Sequence, residues 1–289
     1  MVFKKGKIFM NENKDQKTID GFGDEWERFD QSDLNPDEHH ELFDKYFSIF
    51  PWSSLPNDAI GFDMGCGSGR WAKILAQRVG TLNCIDPSSA LEVAKKNLKD
   101  FPNCIFHKAG VNEESLEASS QDFGVSLGVL HHIPDTAKGI KACVRMLKPG
   151  APFLLYLYYA LDNRSFWYRF IWRISNFVRF FVSKLPHGVR YPVSQIIASI
   201  IYWPFARSAK IIEKLGVSQS LVDKLPLSFY RNLSFYTMRT DALDRFGTRL
   251  EHRFTKDEIT IMMIEAGLEN IVFSENDPYW VAIGYRKDS

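Results

Sequence analysis

The sequence predicts an α/β chain. Its expected fold is a doubly wound, seven-stranded, mostly parallel sheet with a terminal antiparallel hairpin, plus a helical lid insertion. Three observations predict it. Between residues 56 and 160, short apolar runs alternate with segments long enough for helices, the pattern of parallel strands joined by right-handed crossovers. The first run empties into a glycine-rich turn, Asp63-Met64-Gly65-Cys66-Gly67-Ser68-Gly69, that leads into a helix. Near the end, two strand-like runs are joined only by Glu275 to Tyr279, too short for a crossover, so they pair antiparallel.

Each element has its own signal. Ala59 to Asp63 reads as a buried strand and Arg70 to Val79 as the helix after the turn. Thr81 to Asp86 is the second strand, and Pro87 and Ser88 suit the start of a helix running to about Leu98. Asn103 to Ala109 and Asp122 to Leu127 are the third and fourth strands, Thr136 to Met146 a helix and Ala151 to Tyr158 the fifth strand. The pattern breaks over 161–250 and resumes with a helix from Phe254 to Ala266, for which Thr255 is the N-cap and Asp257 and Glu258 the acidic first turn. Gly267 ends it, and Leu268 to Ser274 and Trp280 to Tyr285 close the sheet. The division is therefore an N-terminal cap segment over 1–50, a core over 51–160 and 251–289, and the lid over 161–250.

Composition narrows the function. Lys+Arg 36 against Asp+Glu 35 shows no polyelectrolyte character, which weighs against nucleic acid. Cys66, Cys84, Cys104 and Cys143 sit in or beside apolar runs without a CxxC pair, which argues against zinc and disulfides; no metal is expected. Buried reduced thiols suit a cytoplasmic protein. Met1 to Asp20 is polar and lacks an apolar signal core. The longest apolar candidate for a span, Val193 to Ala206, is too short for a bilayer. The aromatic content of 14% points to a large apolar pocket or a greasy surface.

The glycine turn lets backbone approach a ligand, and Asp86, closing the second strand, is placed to accept ribose hydroxyls. Gly67 to Ala72 also fits the dinucleotide pattern GxGxxG/A. Asp63 discriminates, because a carboxylate beside the turn repels a pyrophosphate and favours a cationic ligand.

The runs DMGCGSGRWA, IDPS, SLGVLHHIPD and MLKPGAPFLLY, in that order across 56–160, resemble the class I S-adenosylmethionine-dependent methyltransferases, of the methyltransferase type 11 kind. The resemblance implies S-adenosyl-L-methionine as cofactor. Asp63, Gly65, Gly67 and Gly69 would line its methionine half and Asp86 its ribose, with Gly110 and Val111 offering backbone to the adenine. The usual acidic residue is missing at that last place. Leu127 and Gly128 would lie under the sulfonium. His131 is the candidate general base for a hydroxyl acceptor, while His132 caps the next helix or orders the loop. Trp26 and Phe29 either cover the adenine or acceptor, with Arg28 meeting the methionine carboxylate, or a helix packs Trp26 and Phe29 onto the core.

From 163 to 212 the chain carries eight basic residues, no acidic one and twelve aromatics. This reads as a greasy helical lid, with a helix from Phe166 to Leu185, that selects a lipid-like acceptor or touches the inner face of a membrane; a buried lid with an exposed basic rim is the alternative. Tyr236, Arg239, Asp241, Asp244 and His252 form a further polar set near the pocket. The expected function is methyl transfer to the oxygen, less readily the nitrogen, of a bulky, largely apolar small molecule. The alternatives are an RNA methyltransferase and a catalytically silent cofactor-binding partner. Oligomeric state is not legible.

Overall fold

Seven strands form one sheet in the order β3-β2-β1-β4-β5-β7-β6. The computed structural model describes residues 13–113 and 115–288, so the expectation for Met1 to Asp20 lies, as far as Glu12, outside the described residues. The elements run α1 (Gln16–Arg28), α2 (Pro36–Tyr46), β1 (Ile60–Met64), α3 (Ala72–Leu75), β2 (Thr81–Ile85), α4 (Ala90–Asn97), β3 (Cys104–His107), β4 (Phe123–Leu127), α5 (Thr136–Met146) and β5 (Pro152–Tyr156). Then come α6 (Phe166–Val182), α7 (His187–Ile197), α8 (Trp203–Lys214), α9 (Gln219–Val222), α10 (Phe235–Gly247), α11 (Lys256–Glu265), β6 (Leu268–Phe273) and β7 (Val281–Arg286). β1 to β5 pair parallel, and β7 runs antiparallel to both β5 and β6. The predicted fold class is the observed one.

Alternation along the strands builds two cores, as the period of two requires. On one face Leu82, Cys84, Val125 and Leu154 pack with Phe43 of α2, Leu75 of α3 and Leu91 of α4. On the other, Phe62, Ile85, Phe153 and Leu155 pack with Ile140 of α5 and Met263 of α11. The four cysteines are buried and unpaired.

α11 opens with the expected Thr255 cap, in a reciprocal box with Glu258. The helix predicted from Arg70 to Val79 is only Ala72–Leu75. Past Ala76 the amides of Gln77 and Arg78 bond three residues back, to Ile74 and Leu75, so the segment tightens into turns before Gly80.

The lid has its own core, in which Val182 of α6, Ile197 of α7, Ala206 of α8 and Met238 and Ala242 of α10 meet. Between α7 and α8 the chain adopts one π-helical stretch, Ala198–Tyr202, which carries Tyr202. Among the described residues, no helix is long and apolar enough to cross a membrane.

Candidate active site

The turn after β1 is stitched to the end of β2. The amides of Gly65 and Cys66 donate to the Ile85 carbonyl at 2.7 and 3.1 Å. The turn requires glycine at two positions in particular. Gly65 and Gly67 have φ of +77° and +53°, a region L side chains avoid. A Cβ on Gly65 would collide with Val129, and one on Gly67 would sit 2.9 Å from Trp26 Nε1. Asp86 accepts from Gly67 N at 2.9 Å, Ser88 N at 2.8 Å and Ser88 Oγ at 2.6 Å. Three of a carboxylate's roughly four acceptor sites are thus used.

Gly65 to Ser68, Asp86 to Ser88 and Leu127 to Val129 line one end of a cavity of about 420 Å³, within the size range of small-molecule sites. α1 covers it. Thr18, Phe22, Glu25 and Trp26, on one face of that helix, are in the wall. The lid closes the far side with Tyr168 and Trp172 of α6, Tyr202, and Asp241, Asp244 and Arg245 of α10.

Acids dominate the wall near α1. Glu25 is 4% exposed, and its Oε1 has no hydrogen-bond partner. Burial, then the charges of Asp244 and Asp241, raise its pKa well above the usual 4.5. Burial likewise pushes Asp241 up to about 6 and, behind the wall and with the charge of Asp86, Asp63 to about 7. Such carboxyls favour a cation, which would restore their charged forms.

The histidine pair divides the roles unexpectedly. His131 is fully buried and stacks on Tyr158 at 3.9 Å; it does not line the cavity. Burial, then His132, Arg253 and His252, hold its pKa well below 6.5. His132 does line the cavity. Its Nδ1 lies 2.7 Å from the Leu250 carbonyl, which can only accept, so Nδ1 carries the proton and Nε2 the lone pair. That Nε2 has no hydrogen-bond partner and stands 3.9 Å from Asp244 Oδ1. Burial lowers the His132 pKa, against the opposing effects of Asp244 and the Leu250 carbonyl.

A buried ion cluster supports this wall. Glu251, its side chain 2% exposed, meets Arg179 at 3.3 Å, Arg245 at 3.0 Å and Arg253 at 2.8 Å. The three guanidinium groups outweigh its burial and hold its pKa at about 2. Asp244 accepts from the Tyr158 hydroxyl and, at 3.1 Å, from Thr248 Oγ1. Arg253 lies over both Tyr158 and Trp172.

Of the predicted site residues, Gly65, Gly67, Asp86 and Leu127 share the cavity wall. Asp63, Gly69, Gly110, Val111 and His131 do not line it. Asp63 is 1% exposed, with Oδ2 unpartnered. Gly69 packs on Leu98. Gly110 donates to Glu113, which pairs with Lys14, and the Lys14 side chain occupies the space beside Gly110. Val111 is drawn into the core with Met64 and Ile85. His132 does not cap α5; Asp135 does, accepting from Lys138 N. Trp26 covers the turn, but Arg28 pairs with Asp24 and lies over Tyr191, and Phe29 is buried between Tyr191 and Tyr236. Of the second polar set only Asp241 and Asp244 reach the cavity. Glu25 was missed. An acid at helical spacing with Thr18 and Phe22, on the face that α1 buries, was its available signal.

The residues present fit S-adenosyl-L-methionine. The glycine cradle leaves no room for a Cβ, Asp86 retains acceptor capacity, and the unpartnered Oε1 of Glu25 suits a cationic ligand.

Residues 62–155 match the model of a methyltransferase domain. The chain is similar to the ubiquinone biosynthesis O-methyltransferases of Hahella chejuensis, 32% identical over 116 residues (39% of this chain, 47% of that one), and of Saccharophagus degradans, 34% identical over 106 residues (36% and 43%). It thus spans less than half the length of these relatives. A solved structure from Methanococcus maripaludis, assigned to the S-adenosyl-L-methionine-dependent methyltransferases, aligns with a TM-score of 0.51 at 14% identity, over 100% of this chain and 98% of that one. That likeness concerns the fold alone.

Proposed function

We infer that this chain, whose core is a class I methyltransferase domain, binds S-adenosyl-L-methionine and moves its methyl group to the oxygen of a bulky, largely apolar small molecule. When bound, the cofactor supplies a methyl group already activated on a sulfonium. The backbone of Gly65 to Ser68 and the Asp86 carboxylate would hold it, with Glu25 and Asp241 facing positive charge. Enzymes of this kind gain mainly by aligning the acceptor and excluding water. Here α1 and the lid supply that enclosure, and aromatic walls such as Tyr168, Trp172 and Tyr202 suit an apolar or aromatic body.

One observation carries the oxygen reading: His132 is a residue of the cavity wall, and its Nε2, just behind that surface, has no hydrogen-bond partner. A hydroxyl acceptor must lose a proton as its new O–CH₃ bond forms and the S–CH₃ bond breaks. The Leu250 carbonyl keeps the His132 lone pair on Nε2, and the depressed pKa keeps it unprotonated at neutral pH. His132, rather than His131, is therefore the proposed base, with Asp244 positioned to steady the imidazolium that results. The relatives named above for O-methyl transfer agree with this choice of atom.

Incubation with methyl-labelled S-adenosyl-L-methionine and a panel of phenols and alcohols bearing apolar tails tests the proposal. Mass spectrometry should find a labelled methyl ether. Label appearing only on amine acceptors, or on none, would refute the oxygen reading.

A further inference from the structure

The outer face of α6 is the inverse of an ordinary solvent-facing surface. At 3.6 residues per turn, Tyr168, Trp172, Arg179 and Val182 form the inward stripe. The first two line the cavity, and the last two are buried beneath the helix. The opposite stripe is made of Phe170, Ile174, Phe177 and Phe181, which are 54%, 53%, 67% and 55% exposed, and Phe166 beside it is 71% exposed. Four large apolar residues at the apex of a solvent face is more than scattered surface hydrophobes explain.

We propose that this face of α6 is a docking surface for an anionic phospholipid bilayer, with the helix lying in the plane of the headgroups. Charge selects this occupant. Arg169, Arg173 and Lys184 are exposed along one flank of the apolar stripe, and among the described residues none of them enters an ion pair. No acid occurs between 163 and 212. A second copy of this chain meeting the same face across a two-fold axis would set these cations against each other. Lipid phosphates would neutralise them while Phe170, Phe177 and Phe181 enter the acyl boundary. α6, of 17 residues, is not long and apolar enough to cross the membrane, so lying in the interface is the geometry left to it. The same helix carries the cavity wall on its inner side, so docking would bring the site next to the lipid.

Flotation of the full chain with vesicles of phosphatidylcholine alone, and of phosphatidylcholine mixed with phosphatidylglycerol, tests the proposal without any need for turnover. The wild type should float with the mixed vesicles and release at high salt. Phe170→Ser/Phe177→Ser should abolish flotation. Arg169→Gln/Arg173→Gln/Lys184→Gln should weaken partitioning roughly a hundredfold, since each cation is worth about fivefold near an anionic surface. All these positions face solvent, so S-adenosylhomocysteine affinity should stay at the wild-type value and show that the variants are folded. A wild type that stays at the bottom of the gradient overturns the proposal, as does a folded Phe170→Ser/Phe177→Ser protein that still floats. Equal flotation on both vesicle types overturns the anionic preference. A dimer in sedimentation that Phe170→Ser/Phe177→Ser dissolves would give the face to a second copy instead.

Discussion

Replacing Glu251 by Gln removes the one negative charge on which Arg179, Arg245 and Arg253 converge. Its folded pKa is about 2 against an ordinary 4.5, a depressed value. A depressed carboxylate adds stability that is fully present above its unfolded pKa and is lost as pH falls towards the folded one. At about 1.4 kcal/mol per unit this amounts to roughly 3 kcal/mol, present at neutral pH and lost between about 4.5 and 2. Uncovering one partner of a buried pair typically costs about 3–5 kcal/mol, in agreement. Thermal unfolding followed by circular dichroism should show Glu251→Gln melting roughly 5 °C below the wild type at pH 7. The gap should narrow as the wild type is acidified below 4.5. Because Leu250 precedes Glu251, the variant should also loosen the carbonyl that orients His132. An unchanged melting temperature at pH 7, or an acid slope identical in both proteins, would refute this.

Other outcomes follow from the same geometry. His132→Ala should lower turnover by about a hundredfold or more, with S-adenosylhomocysteine affinity unchanged, and a fully active variant would remove the base role. His131→Ala should instead show mainly as a lower melting temperature, because that ring is packed on Tyr158 and away from the cavity. The kcat–pH profile should lose activity on the acid side only below 6.5, since the His132 pKa is lowered; an acid limb above 6.5 would contradict that. Gly67→Ala forces a side chain into the left-handed region and against Trp26; calorimetry should show cofactor affinity falling more than about tenfold, and unaltered affinity would mean the turn does not hold the ligand.

The sheet was legible because its signals are local. Strand alternation, the glycine turn, the Thr255 cap and the short link before β7 each lie within a few residues of what they determine. Asp86, Gly65 and Gly67 were legible for the same reason. The exposed apolar face of α6 could also be read from apolar residues all round its helix. What escaped depends on long-range contacts. Of two adjacent histidines, the one in the cavity wall is held by a carbonyl at Leu250, at the far end of the lid insertion. Gly110 looks like a ligand edge until Lys14 and Glu113 occupy the space beside it, and Val111 until the core takes it up with Met64 and Ile85. The partners of Arg28, Asp24 on the same helix and Tyr191 in the lid, are likewise set by the fold rather than by its neighbours in the glycine turn.

The cavity beneath α1 is proposed to take S-adenosyl-L-methionine and not a dinucleotide. Isothermal titration of the wild type and of Asp86→Ala with S-adenosylhomocysteine, and of the wild type with NAD, tests it most directly. S-adenosylhomocysteine should bind the wild type in the micromolar range, about −8 kcal/mol, and Asp86→Ala more weakly, while NAD gives no heat of binding. Binding of NAD without binding of S-adenosylhomocysteine would contradict the claim outright.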